Sequence, residues 1–483
     1  SARGSKGAMA FLGFTSTELR TYLIMGLCWI EIVQVNLMEQ PYARSLVVCD
    51  VPTNTTPGAL FSGSKYCGDR LHVINVGAEI SGMGQSLENV GRITITLFVS
   101  AYADNGRRPA AILGQFMLFA STLLFAIAGF FTSLAMPIFI VAQWLQGMSG
   151  IGILDQIITG DVALTSGDSV GVYNRKNMYI AVLCVVLFPM VLYVQYAEIL
   201  EFTRVWILVN MLNLAALLLL LFFFPETLPE EKRGKESNVF KMVVKELQTF
   251  RDLVTTNTLV RWRLVEIFLI GLSDPAAIAM PFFMANFALP QFYALLYSMG
   301  PGLALAPFFI PLAPYLHKRF GYRNGWQICY WGQRVFTTPF VIGLPGVLHP
   351  MLKSYWGIPG PVVSGLLAMP FCGFFSIVSA VELRIVGQEN NAKYQAMVQL
   401  VGFFTGALSS AAYSWLFDAE ATTPIMKVLP YYFAAFGGLL QIPVWYFKLR
   451  PIQLAECDKL TEEMEKEAEK TEEEKNAAKE EKT

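Results

Sequence analysis

The chain has 483 residues, 54% hydrophobic and 15% charged, with a formal net charge of −1 and a mean hydropathy of +0.46. A soluble domain carries about 25% charged residues, so this composition excludes an ordinary water-soluble globular protein and gives no pointer to nucleic acid. Windows such as 109–132, 177–197, 205–224 and 431–447 are nearly free of charge, and each reaches the roughly 20 apolar residues that a membrane crossing needs.

Residues 1–20 carry positive charge but no separate apolar segment ahead of the first span, so no cleavable signal peptide is read there. The stretch fits an added sequence or the stub of a processed leader equally well. Twelve spans follow, near 21–39, 78–103, 109–132, 134–157, 177–197, 204–224, 264–288, 292–316, 326–346, 357–383, 394–417 and 428–448. With the acidic tail set aside, placing both termini inside leaves only Arg44, Lys65, Arg70, Arg204, Lys353 and Lys427 on the opposite side. The positive-inside rule therefore orients both termini to the cytoplasm. The expected fold is all-α and integral to the membrane: an N-terminal six-helix bundle at 21–224, a C-terminal one at 264–450, a cytoplasmic linker at 225–263 and a tail at 451–483. The bilayer is then an expected partner, and no nucleic acid is.

Span 1 carries Glu31, Gln34 and Asn36. Ionisable groups at membrane depth cost about 2.5–3.5 kcal/mol each, so they face a cavity or a partner. The long non-cytoplasmic loop, 40–77, holds Cys49, Cys67 and the sequon Asn54-Thr55-Thr56. That content suggests a disulfide and a glycosylation site at Asn54, against the plainer reading of two thiols and an unused sequon. Span 2 carries Glu88, Asn89 and Arg92; Glu88 and Arg92, four apart, share a helix face and can neutralise each other. In the functional version, Arg92 releases Glu88 to hold an anionic group of a substrate.

Only a short turn, "DNGRRP" at 104–109, separates spans 2 and 3. Gly106 and Pro109 supply its turn chemistry and hold Arg107 and Arg108 at the membrane face. Span 4 contributes Gln143 and Gln146, three apart and expected on one cavity. In the linker, Val239, Met242, Val243, Leu247 and Phe250 recur at helical spacing between lysines, which predicts an amphipathic helix at the membrane surface.

In the second half, Glu266 and Asp274 lie in span 7, with Pro275 breaking the helix beside Asp274. Glu31 and Asp274 lie at similar depths in equivalent spans of the two halves, so a proton or substrate site is read at the break. Its competitor is a structural acid capping the bend. Arg334 in span 9 has no acidic neighbour in its own span, which makes it a candidate anion contact. The tail from Cys457 is rich in Glu, Lys and Ala and reads as a lone solvated helix or a disordered segment. No metal-ligand spacing is present, and His72, His317 and His349 assemble no nucleophile–His–acid set. No cofactor and no enzymatic activity are expected.

Taken together, the turns resemble those of the major facilitator superfamily. "SAYADNGRR" at 100–108 is similar to its span 2–3 signature Gly-x-Leu-Ala-Asp-Arg-x-Gly-Arg-Arg: Ala103 and Asp104 are kept, Ser100 replaces the first glycine, and Gly106-Arg107-Arg108 come one residue early. "QWLQGMSG" from 143 resembles the fourth-span Arg-x-x-Gln-Gly-x-Gly, with Gln143 for the arginine. Asp161 with Arg175 resembles the span 4–5 crossing, and "PETLP" from 225 the end of span 6. Weaker echoes occur at 313–325, with His317 at the acid's place, and at 381–397, through Glu382 and Lys393. The resemblance covers about residues 18–450. It implies two six-helix bundles rocking about a midplane site, with Asp104, Arg107, Arg108, Asp161, Arg175 and Glu226 as a cytoplasmic gate. A small polar, anionic or proton-coupled solute would be the partner, with the tetracycline exporters and proton-coupled folate transporters nearest in flavour. Gln143 stands where relatives place a coupling arginine. The rival class is a non-transporting relative serving as a structural or assembly subunit, and a membrane receptor is a third option.

Overall fold

The computed structural model describes residues 16–46, 70–103, 105–128, 130–131, 134–166, 170–176, 202–228, 230–233, 239–289, 312–337, 374–387 and 390–463, with a few isolated positions besides. Asp104, Cys49, Cys67 and Asn54 lie outside these residues, as do most of the predicted spans 5, 8 and 10. Among the described residues every regular element is helical. Five segments are long and apolar enough to cross a membrane: Arg107–Ala128, Ala135–Ala163, Trp206–Phe223, Thr258–Asn286 and Asn391–Leu416.

In the first half, α1 is Ser16–Ser45, α2 Arg70–Ala103, α3 Arg107–Ala128, α4 Ala135–Gly147, α5 Ile151–Ser166 and α6 Phe202–Phe223. The linker helix is α7, Val239–Thr256. The second half contains α8 Thr258–Leu272, α9 Ala276–Asn286, α10 Leu312–Thr337, α11 Phe374–Val386, α12 Asn391–Leu416 and α13 Leu429–Val444. α13 passes through a π turn, Trp445–Leu449, into a further helix over 450–463.

The pattern of α3 shows why these segments pack as they do. Ala110, Ala111, Gly114, Gln115, Leu118, Ser121, Thr122 and Phe125 are buried at helical spacing, while Leu113, Phe116 and Leu123 are exposed. Small residues on the inner stripe let backbones approach, and polar ones bond across helices, since hydrocarbon outside offers them nothing. Ser121 donates to the Ala142 carbonyl at 2.8 Å, and Gln115 Nε2 to Asn213 Oδ1 at 3.0 Å.

Span 4 is not one helix. It breaks at 148–150, where Gly150 adopts φ +61° between α4 and α5. Gly147, just before the break, lies so close to α2 that a Cβ would collide with the Glu88 carbonyl oxygen. Span 7 breaks as the Asp274-Pro275 pair predicts, between α8 and α9. Carbonyls freed there find neighbours, as membrane-depth backbone must: Tyr413 OH donates to Leu272 O, and Gln441 Nε2 donates to Leu269 O at 3.3 Å. The predicted linker helix is present as α7. Its Val243 and Phe250 are buried against protein, while Leu247 stays exposed beside Lys241, Lys245 and Arg251.

The halves meet mainly where α2 runs along α12. Two buried clusters each draw side chains from both halves of the chain. In one, Tyr42, Phe125, Phe139 and Trp206 join Phe282, Phe283, Tyr413 and Tyr431. In the other, Tyr22 and Tyr173 join Trp326, Tyr330, Tyr394 and Trp445.

Candidate functional site

At the end bearing the 104–109 turn, the sequence motif organises a compact charge cluster. Arg107 opens α3 and is buried; its Nε donates to Asp161 Oδ2 at 2.7 Å and its Nη1 to the Ala103 carbonyl at 2.6 Å. Glu226 accepts the backbone amides of Arg107 and Arg108 at 3.0 and 3.2 Å, and that of Leu228 at 3.0 Å. Its carboxylate thus satisfies the orphan amides that begin a helix and sits at the positive end of its dipole. Arg108 turns outward and donates to the Leu221 carbonyl. Arg107, Arg108, Asp161 and Glu226 are therefore brought together. Arg175 bonds Glu18 at 2.8 Å, and the neighbouring Lys176 bonds Asp155 at 2.6 Å, both pairs largely buried. Glu18, Asp155 and Lys176 did not stand out in the sequence, because nothing local marks partners this far apart in the chain. Tyr173, beside them, is buried, and its phenol is held above its ordinary pKa by that burial first and by Glu382 next.

The ion pairs and hydrogen bonds just described join residues of the first half with Glu18 ahead of it and Glu226 at the start of the linker. The second half builds its own counterpart: Arg263 pairs with Glu266 and, at 2.9 Å, with Glu382 Oε1. Tyr394 OH donates to Glu382 Oε2 at 2.8 Å, and Gln453 Nε2 to Glu382 Oε1 at 3.4 Å. Glu266 of predicted span 7 is thus committed to this cluster.

The tail reading needs correction for residues 457–463. They are helical and packed: Leu454, Cys457 and Leu460 are buried in the aromatic cluster of the second half. Arg384 reaches Glu456 at 2.9 Å and Glu463 at 2.7 Å. Acidic composition alone gave no sign of the arginine that receives it.

At membrane depth, Glu88 and Arg92 form the pair their spacing predicts. Gln146 Nε2 donates to Glu88 Oε1 at 3.2 Å, and Arg92 Nη1 donates to Asn89 Oδ1 at 3.3 Å. The Arg92 guanidinium also lies over the Phe403 ring of α12, 5.3 Å from its centroid. Gln143, one turn before Gln146, is fully buried, and neither amide atom has a hydrogen-bond partner among the described residues. An unmet buried amide costs about 1–3 kcal/mol, which marks a place for a polar guest. Asp274 does not join this group by burial; it is exposed at the α8–α9 break. The helices carrying Glu31, Gln34 and Arg334 are described, but those three side chains are not. The sequence reading missed Glu39, which is 1% exposed and accepts from Ser81 Oγ at 3.3 Å. It closed the predicted first span, whereas α1 continues to Ser45.

No family model matches the sequence, and no curated protein matches it significantly. Solved structures do. The chain is similar to the human organic anion transporter MFSD10 (TETRAN), with 16% identity and a TM-score of 0.57 over 87% of this chain and 100% of that one. It is similar to a D-xylose-proton symporter, with 14% identity and a TM-score of 0.62 over 89% and 98%. A bacterial homologue of the iron transporter ferroportin, in an outward-facing state, gives 15% identity and 0.59 over 89% and 99%. At such identities the likeness establishes the fold. The chain has the major facilitator fold, that of a multi-pass integral membrane protein.

Proposed function

We propose that this chain is a secondary transporter of a small polar organic solute, working by alternating access between halves at 21–224 and 264–450 with both termini in the cytoplasm. The solute site is Glu88, Arg92, Gln143 and Gln146, beside the break in span 4. The observation that carries this reading is Gln143: fully buried, without a hydrogen-bond partner among the described residues, and one turn from an amide already engaged with the Glu88–Arg92 pair. Discontinuous helices supply binding groups at the midplane of many transporters, and here both span 4 and span 7 are broken. A solute with an acceptor group draws on Arg92 as Glu88 turns to Gln146, and its polar edge fills the needs of Gln143. Asn89 and Phe403 then bring α2 and α12 onto one guest, which links occupancy to the seam between halves. Arg107–Asp161 and the Glu226 cap act as the gate at the cytoplasmic end, and Asp104 is assigned to it from the sequence motif alone. Asp274 serves as the hinge acid of span 7, and Glu31, Gln34 and Arg334 extend the pathway. Cys49–Cys67 and Asn54 are the proposed disulfide and glycan site of the outer loop.

One observation favours the rival subunit reading: Arg92 is already held by a neighbour on its own helix. A thermal-shift screen of the purified chain against sugars, nucleosides, folates, organic anions and amino acids separates the two. A ligand of the folded state at a hundredfold excess over Kd stabilises by about 2.7 kcal/mol. The transporter reading expects a shift with one chemical class that Gln143→Leu abolishes. A flat panel, with the chain co-purifying in a larger assembly, overturns it.

A further inference from the structure

We infer that the edge between α8 and the π turn that ends α13 binds an anionic phospholipid, with Lys448 and Trp262 holding its phosphate at the boundary of the bilayer. The inference goes beyond the transporter reading and stands or falls without it, since it needs only the membrane fold.

The cations of the charge clusters and of the tail are paired. Arg107, Arg175 and Lys176 in the first half, and Arg263, Arg323 and Arg384 in the second, each meet a carboxylate. The cations on α8 and about the π turn packed against it do not. Arg261 donates to the carbonyls of Val254 and Thr255 at 3.2 and 2.8 Å. Arg450 donates twice to Gln327 Oε1, at 3.2 and 2.8 Å, with its guanidinium over the Tyr446 ring. Lys448 is exposed and has neither an ion pair nor a hydrogen bond among the described residues. Its ammonium lies over the Trp262 indole, 5.1 Å from the ring centroid, a favourable place for a cation. The indole N–H of Trp262, which is half-buried, likewise has no acceptor among the described residues. A cation and a neutral donor therefore stand side by side with their hydrogen bonds unspent.

The position selects the occupant. Lys448 is the first charge after the apolar run 428–447, and Trp262 stands near the start of the apolar segment Thr258–Asn286. Both thus lie at the depth of lipid headgroups, where tryptophan and lysine collect. Deeper in, the same two helices are joined by Gln441 Nε2, which donates to Ser273 Oγ at 2.8 Å. Their outer surface exposes Val265 on α8 and Phe436, Leu440 and Phe447 on α13 and its π turn, Phe447 at 69%. That surface is apolar and suits acyl chains. A phosphodiester brings the acceptor oxygens that the ammonium and the indole N–H lack. Its net negative charge also answers Arg261 and Arg450, as basic pockets between membrane helices answer anionic headgroups. A zwitterionic lipid carries the same phosphate but adds a cation, which those arginines repel.

The test uses the full chain in phosphatidylcholine vesicles doped with brominated lipid, which quenches nearby tryptophan. The Trp262 signal is the difference between each protein and its Trp262→Phe counterpart. Brominated phosphatidylglycerol is expected to half-quench it at a mole fraction about fivefold lower than brominated phosphatidylcholine, the worth of one cation near an anionic surface. Lys448→Gln is expected to remove that preference, Lys448→Arg to keep it, and Lys245→Gln, on α7, to leave it unchanged. Equal quenching by the two lipids overturns the inference, as does a preference that survives Lys448→Gln. Loss in Lys448→Arg as well assigns the effect to packing, and loss in Lys245→Gln assigns it to the diffuse field of the surface; either result also overturns it. Inorganic phosphate at matched ionic strength is expected to change nothing. Relief of quenching by phosphate identifies a site for a free anion and overturns the lipid assignment.

Discussion

The two halves end, at the turn-bearing face, in charge clusters built on different economies. In the first, one guanidinium meets one carboxylate, Arg107 with Asp161, and the second acid, Glu226, is satisfied by backbone amides at the start of α3. In the second, one guanidinium, that of Arg263, faces both Glu266 and Glu382, helped by Tyr394 and Gln453. The side chains of Glu266 and Glu382 are 1% and 7% exposed, against 15% for Asp161. The arginines run the other way, Arg107 at 4% against Arg263 at 13%, so the first cluster keeps its acid nearer water and the second its cation. The acid nearer water exchanges its partner for hydration at lower cost, because less desolvation was invested in it.

Breaking the second cluster has the larger effect. Arg263→Met leaves two buried carboxylates facing each other and is expected to destabilise the second half by about 3–5 kcal/mol, as removing one partner of a buried pair does. Denaturant titration in detergent measures it, and adding Glu382→Gln should recover part of the loss. Asp161→Asn is milder, about 1–3 kcal/mol for a charged hydrogen bond lost near water. It should raise cysteine-probe accessibility at the 104–109 turn more than it lowers the midpoint of unfolding. Equal stability losses from the two changes would erase the contrast.

The smallest effect concerns the tail. Arg384 holds the Glu463 carboxyl below its ordinary value; for Glu456, burial pushes upward, but bonds from Lys459 and Arg384 outweigh it. Depressed carboxylates stabilise the docked tail above the ordinary value of 4.5, and that stability is lost as pH falls through the folded values. Acidification should therefore expose Cys457, whose thiol burial pushes up to about 12, to dithiodipyridine, a reagent active toward thiols in acid. Arg384→Ala should expose it already at neutral pH.

The all-helical, membrane-spanning character, the 104–109 turn and the break at Asp274-Pro275 were legible because each is written in contiguous residues. Arg107 was reached through its turn, Asp161 and Glu226 through the resemblance of their own segments to major facilitator motifs, and Glu88 with Arg92 through i,i+4 spacing. Arg263–Glu382, Arg384–Glu463 and Lys176–Asp155 join distant segments, and no local spacing announces them. Glu39 went unmarked because the predicted first span stops at it, whereas α1 continues to Ser45 and buries it. The docked tail was lost to composition, since a Glu/Lys-rich segment reads as solvated until the arginine and the apolar floor beneath it are known.

The π turn at Trp445–Leu449 acts as a phase setting for everything after it. An α-helix advances about 100° per residue, and a π turn holds one residue more than an α turn. Its presence rotates the following helix by roughly that angle relative to an uninterrupted one. At the phase observed, Leu454, Cys457 and Leu460 point inward, while Asp458 meets Arg323 and Lys459 meets Glu456 on the outer flank. Unwound to a regular helix, the same residues would turn their charges toward the aromatic floor and their apolar stripe toward water. The tail is docked by an angle as much as by its ion pairs.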